Sequence, residues 1–210
     1  MRTIKKIIFC LLFIGFNSCI LFKKEINKPV TVCFADSPII PTFSSTGITT
    51  KYIGSVTQEE IAISFLKNFN NEGSNTKNIT LVKTEDNADF MVQLISLEIS
   101  ESSKTEKIND SKSPNNGQEV VLNTVQCSAT FKLIKNSDKK RNLSTCNNIK
   151  SKTEKLKNNR DLGDLVFGTN KDRSEYSTKL LSDLICINLA EDVGRRVWVP
   201  ITRRIAKNIK

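Results

Sequence analysis

The sequence predicts an α+β fold, a mostly antiparallel sheet of about four to six strands with two helices packed on one face. Three observations predict it. The elements run strand, helix, strands, helix along the chain. Thr57-Gln58-Glu59-Glu60 has the hydroxyl-to-Glu spacing of a capping box ahead of apolar residues at helical spacing. Residues Glu119 to Ile134 alternate apolar and polar, the period of a strand with one wet face.

Taken in order, Pro29 to Phe34 (PVTVCF) is rich in β-branched and apolar residues and reads as a first strand. A loop with Pro38, Pro41 and Gly47 follows, with a short strand near Thr49-Lys51-Tyr52. The capped helix buries Ile61, Ala62, Phe65, Leu66 and Phe69, and Gly73 is expected just past its end. The aromatic stripe reads as core. Ile79 to Lys83 is a strand, and Asp86-Asn87-Ala88-Asp89 turns into the strand Phe90 to Ser100, whose first half is apolar on both faces and whose second half alternates. In Glu119 to Ile134, Val121, Val125, Cys127, Ala129, Phe131 and Leu133 share one face. Asn142 to Lys150 is a more polar edge strand whose apolar match turns Leu143, Thr145 and Ile149 inward. A second long helix is expected from about Ser174 to Arg196, its stripe set by Leu180, Leu181, Leu184, Ile187 and Ala190.

The segment 102–118 is polar and poor in apolar residues, and reads as a flexible loop inside the domain. Pro200 should end or kink the second helix. Beyond it Ile201, Ile205 and Ile209 recur beside Arg203, Arg204, Lys207 and Lys210. Residues 201–210 are thus a short basic amphipathic tail that can touch an anionic surface or fray into solvent.

Composition narrows the function. The chain has 210 residues, 32 Lys plus Arg against 22 Asp plus Glu, and a net charge of +10. That surplus favours anionic partners, or is simply a solvated basic surface. There is no histidine, which removes Ser-His-Asp, Cys-His and His-based zinc chemistry. No Gly-rich phosphate loop, nucleophile elbow or calcium loop is present, and no metal or cofactor is expected. Basic residues are not interleaved with exposed aromatics, so nucleic acid is not an expected partner. The expectation is a protein that is not an enzyme.

The N-terminus carries the strongest signal. Arg2, Lys5 and Lys6 precede the ten-residue apolar run Ile7 to Phe16, then Asn17-Ser18-Cys19. The run is too short for a spanning helix, which needs about 20 residues, but has the layout of a secretory signal. It resembles a bacterial lipoprotein signal, in which a small residue, here Ser18, precedes the cysteine that is acylated, here Cys19; Phe16 and Asn17 depart from that pattern. The resemblance implies a signal peptide at 1–18 and a lipidated tether at 19–28. It also places a single domain at 29–206 in the cell envelope, lipid-anchored at the outer membrane and facing the periplasm. Losing Arg2, Lys5 and Lys6 would lower the net charge of +10 to +7.

Four cysteines remain in such a domain: Cys33, Cys127, Cys146 and Cys186. A two-residue turn at Asn136-Ser137 would set Cys127 opposite Cys146 for a disulfide. The register that suits the apolar residues instead leaves free, mostly buried thiols. Both pairings stay open. The element order and the Asn87-Ala88-Asp89-Phe90 entry resemble the lipopolysaccharide-assembly lipoprotein of Bacteroidota-type bacteria, and next the curli-secretion-like lipoproteins. The resemblance implies a non-catalytic helper that contacts an outer-membrane protein or lipopolysaccharide.

Overall fold

A computed structural model of the chain describes residues 25–35, 39–111, 113–138, 142–158 and 176–209. The strands are β1 (Val30–Phe34), β2 (Thr42–Thr46), β3 (Ile79–Val82), β4 (Phe90–Lys107), β5 (Glu119–Lys135), β6 (Asn142–Thr153), β7 (Lys155–Asn158) and β8 (Tyr176–Lys179). The helices are α1 (Gln58–Ser74), α2 (Ile185–Arg196) and α3 (Trp198–Asn208). Six strands form one sheet in the order β3-β1-β4-β5-β6, with β2 beside the far half of β4. β7 and β8 form a separate antiparallel pair.

The expected α+β class holds, with a mixed sheet. β4, β5 and β6 are long antiparallel neighbours. β1 runs parallel to β3 and β4, and β2 runs parallel to β4. The parallel part follows from the connections: α1 lies between β1 and β3, and such a crossover returns the chain in the same direction. The link from β3 to β4 then crosses β1. Its Asp89 carboxylate accepts from the Thr31 amide (2.8 Å) and hydroxyl (2.9 Å). Cys33 and Ala88 are both buried at this crossing.

One face of the sheet carries the core. Val92 pairs with Leu133, Leu97 with Ala129, and Ile99 with Cys127, all fully buried. A bulge between Leu94 and Ser96 changes the parity of β4, so that even residues face the core before it and odd ones after it. Helices α1 and α2 cover this face. They cross where Gly194 meets the Phe65 carbonyl: a Cβ added at Gly194 would sit 2.5 Å from that oxygen.

Helix α1 is capped as predicted. The Thr57 side chain accepts from the Glu60 amide and Glu60 accepts from the Thr57 amide. The bonds that the Glu60 carboxylate accepts from the Thr57 amide and hydroxyl hold it below its ordinary value. Phe65, Phe69, Phe34 and Trp198 stack into one aromatic cluster, with Phe69 4.9 Å from Trp198 and 5.0 Å from Phe34. The stripe is core, as its spacing implied.

Several expectations need correction. Gly73 lies inside the last turn of α1, not beyond it, and the Trp198 ring fills the space where a Cβ would be. The strand near Thr49-Tyr52 is instead at Thr42–Thr46. β4 continues to Lys107, so only residues 108–118 connect it to β5, and backbone bonds tie that connection across Ile108, Gly117 and Gln118. The second helix starts at Ile185, and Tyr176–Lys179 is strand. Leu184 is 58% exposed because it precedes the helix and cannot join its buried stripe. In β6, Cys146 pairs with Phe131 and Asn148 with Ala129, which turns Ile149 outward at 55% exposure. The apolar match predicted the opposite face; core-facing Lys150 instead reaches Asp192 of α2 (3.9 Å).

The basic tail is also revised. Residues 198–208 form α3, whose Trp198, Ile201, Thr202 and Ile205 are fully buried. Pro200 sits in the first turn of α3, where no intrahelical N–H is required of it. The helix break falls at Val197, between α2 and α3.

Candidate ligand-binding cleft

Helix α1 exposes a second stripe beside its buried one. Ile61, Phe65 and Phe69 face the sheet. Ala62, Leu66 and Asn70, one position on, rotate about 100° toward the side. There they meet the carboxyl ends of two parallel strands. β1 with the residue after it contributes Val32, Phe34 and Ala35 to a cleft of about 490 Å³, and β3 with the residue after it contributes Leu81, Val82 and Lys83. Leu66, Phe69 and Asn70 form the helix side, and Ile39 joins from the loop after β1. Ile39 and Leu66 also border a second depression of about 290 Å³ that runs on to Pro41, Ala62 and Ile63. The location has a topological cause. From β1 the chain runs through β2 and α1 to β3 on one side of β1, then crosses to β4 on the other, and crevices open at the carboxyl ends where strand order reverses.

A second constellation is buried and polar. The Glu101 carboxylate, on the core face of β4, accepts from the amides of Lys51 (3.1 Å), Tyr52 (2.9 Å) and Ile53 (3.0 Å). The Tyr52 hydroxyl donates to the Glu154 carboxylate. That carboxylate also accepts from the Asn123 amide (3.0 Å) and side chain (3.1 Å). Thr49 donates to Asn123 Oδ1 (2.6 Å), and the Leu181 amide donates to the Tyr52 oxygen (3.2 Å). Burial, and then the Glu154 carboxylate, push the Tyr52 hydroxyl far above its ordinary value. Each described donor finds an acceptor, so the network bolts the turn at 49–53 to the sheet. Periodicity carries no sign of it: Glu101 and Glu154 stand in polar stretches, and Asn123 is one polar residue within the alternation of β5.

The residues singled out by sequence are scattered. Cys19 and Lys210 lie outside the described residues. Arg204 and Lys207 are exposed on α3, while Arg203 is half-buried and engaged. Cys127 is a free, buried thiol opposite Lys150, while Cys146 is opposite Phe131, so the facing needed for their disulfide is not formed. The cause is the longer β5–β6 connection, which shifts the register from that of a two-residue turn. Cys33 and Cys186 are free and buried too. Burial, and then Glu101, raise Cys186 to about 11; burial, and then Cys186, raise Cys127 to about 12. Helical spacing puts Leu66 in the buried stripe of α1, where it is only half-buried and lines the cleft, and places Leu81 only in a strand. Their joint exposure depends on which strand neighbours α1, and one-dimensional periodicity does not carry that.

No family model matches the sequence, and no curated protein is similar to it. Solved structures similar in outline include the following three. A neuraminyllactose-binding hemagglutinin homolog from Helicobacter pylori has a TM-score of 0.42 at 11% identity, over 90% of this chain and 89% of that one. A hypothetical protein from Chlamydia trachomatis has 0.38 at 12%, over 86% and 99%. A minor lipoprotein from Acinetobacter baumannii has 0.30 at 8%, over 80% and 94%. At these scores none bears on what this chain does. Among the described residues, no helix is long and apolar enough to cross a membrane.

Proposed function

We propose that the chain is an exported bacterial lipoprotein, held at a membrane by acyl chains on Cys19, whose domain acts in the envelope by binding rather than catalysis. One observation carries the reading: a cationic start, a ten-residue apolar run and Ser18-Cys19 stand directly ahead of the folded part. The described fold begins close behind, with Ile26 seated in the core. The intervening residues are long enough to clear lipid headgroups, at about 3.3 Å each when extended. Two or three acyl chains hold firmly where one holds marginally. The membrane is the outer one, the domain faces the periplasm, and the partner is an outer-membrane protein or lipopolysaccharide.

Mass spectrometry of the membrane-extracted protein tests this. The expected mature chain starts at an acylated Cys19, and Cys19→Ala abolishes that species. An unmodified Cys19 with the leader still attached refutes it.

A second reading rests on the exposure of Arg204 and Lys207 in a chain of net charge +10. With Ile201 and Ile205 in the core, α3 has no apolar face to insert, so contact with anionic lipid would be electrostatic, about 1 kcal/mol per cation. Arg204→Gln with Lys207→Gln should then weaken binding to anionic vesicles at least tenfold at low salt. Unchanged binding removes this reading.

A further inference from the structure

The cleft beside α1 is walled mainly by apolar side chains and carries a lysine at one end. Phe34, Leu66, Phe69 and Leu81 wall it, and Asn70 and Lys83 are its polar members. The depression that continues it past Ile39 and Leu66 leads to Ile63, 56% exposed, and to Glu59. From Glu59 to Asn70 the helix advances about 16 Å at 1.5 Å per residue. The volume, about 490 Å³ before the extension is added, lies in the range of roughly 300–1,000 Å³ that holds a small ligand.

This lining selects a chemistry. A sugar or nucleotide would bury many hydroxyls or amides here with only Asn70 and Lys83 as side-chain partners, at a cost for each group left unpaired. A long, thin alkyl chain needs none. The trough's length matches roughly a dozen extended carbons, each advancing about 1.3 Å along bonds of about 1.5 Å. Charge sets the direction: Lys83 makes no ion pair with a described residue, and Glu59 stands at the far end. An anionic head is attracted to the Lys83 end and repelled from the other.

We propose that this trough binds a single-chain amphipathic anion, of which a medium-chain fatty acid is the simplest. Its alkyl chain lies along Leu66 and Ile63, and its carboxylate meets the Lys83 ammonium with Asn70 as a second donor. The assignment is independent of whether Cys19 carries lipid.

The test titrates octanoate, decanoate and dodecanoate, below their micelle-forming concentrations, into the full chain carrying Cys19→Ala and into the acylated protein. The single tryptophan, Trp198, stacks on cleft residue Phe69 and reports by fluorescence. Affinity should rise about 15-fold for each two methylenes. Lys83→Glu should weaken decanoate more than tenfold and leave decanol unchanged. Leu66→Glu should abolish binding of both; Ile63→Glu, at an exposed position, does the same job should Leu66→Glu fail to fold. Affinity independent of chain length, equal effects of Lys83→Glu on acid and alcohol, or retained binding in the Glu variants overturns the proposal. Binding confined to the Cys19→Ala chain also overturns it, by giving the trough to the protein's own acyl group. An unacylated Cys19 would sink the anchoring reading and leave these titrations unaffected.

Discussion

Gly194→Ala sets two effects of opposite sign against each other. In an isolated helix, alanine in place of glycine stabilises by about 1 kcal/mol. In this fold the new Cβ would lie 2.5 Å from the Phe65 carbonyl oxygen, 3.3 Å from its carbon and 3.3 Å from the Phe69 amide nitrogen. These are backbone atoms of a neighbouring helix, so no rotamer change relieves the overlap. Restoring an ordinary contact of about 3.4 Å requires α1 to move nearly 1 Å, and α1 carries the aromatic cluster with it. Overpacking of this kind costs about 1–3 kcal/mol, toward the upper end here because the obstacle cannot rotate away. The expected net change is a loss of about 1–2 kcal/mol. At roughly 2–4 °C per kcal/mol for a chain of this size, the Tm should fall by about 2–8 °C. Thermal unfolding followed by circular dichroism measures it, with Gly54→Ala as the control, since nothing lies within 4 Å of that site. An unchanged or raised Tm for Gly194→Ala would refute the close crossing of α1 and α2.

Three further outcomes are expected. Tyr52→Phe removes a donor to the buried Glu154 carboxylate and the acceptor of the Leu181 amide; it should cost about 1–3 kcal/mol, read as a lower urea midpoint. Ile205→Ala should cost about 2–5 kcal/mol because the side chain is fully buried, whereas a frayed tail would yield less than about 0.5 kcal/mol. The third concerns pH. Unfolded thiols ionise near pH 8.5, but Cys186 and Cys127 in the fold do so only at about 11 and about 12. The unfolded chain therefore loses protons first, and the thiols' contribution, complete below about pH 8.5, declines as pH rises toward the folded values. The slope reaches about 1.4 kcal/mol per pH unit per thiol. Denaturant titrations at pH 8, 9 and 10 should show it, and Cys127→Ala should flatten it.

Sequence periodicity served where one element met one environment. The capping box, the alternation of β5 and the helical stripe of α1 each state a local period, and the fold keeps all three. It misled where a third element changed the environment. The first half of Phe90 to Ser100 reads as apolar on both faces and the second half as alternating, because the bulge at Ile95 moves the core side from even to odd residues. Ile149 looked like a core residue, yet the connection after Asn136 shifts the register and turns it to solvent. Ile201 and Ile205 looked like a detachable amphipathic tail, because nothing local shows that Phe69 and Gly73 are shaped to receive Trp198. The cleft was illegible for the same reason: Phe34, Leu66 and Leu81 are ordinary apolar residues until topology brings their strands and helix to one end.

The bond from Trp198 Nε1 to the Phe69 carbonyl (2.6 Å) joins positions 129 residues apart. A chain emerging end-first from a ribosome or a membrane pore therefore cannot close its aromatic cluster until nearly 200 residues have passed. Until then α1 offers a bare apolar flank, and the long loop must be ordered before it is repaid, a condition that slows folding. On the export proposed above, that delay would keep the chain slack enough to travel and leave α3 as the latch.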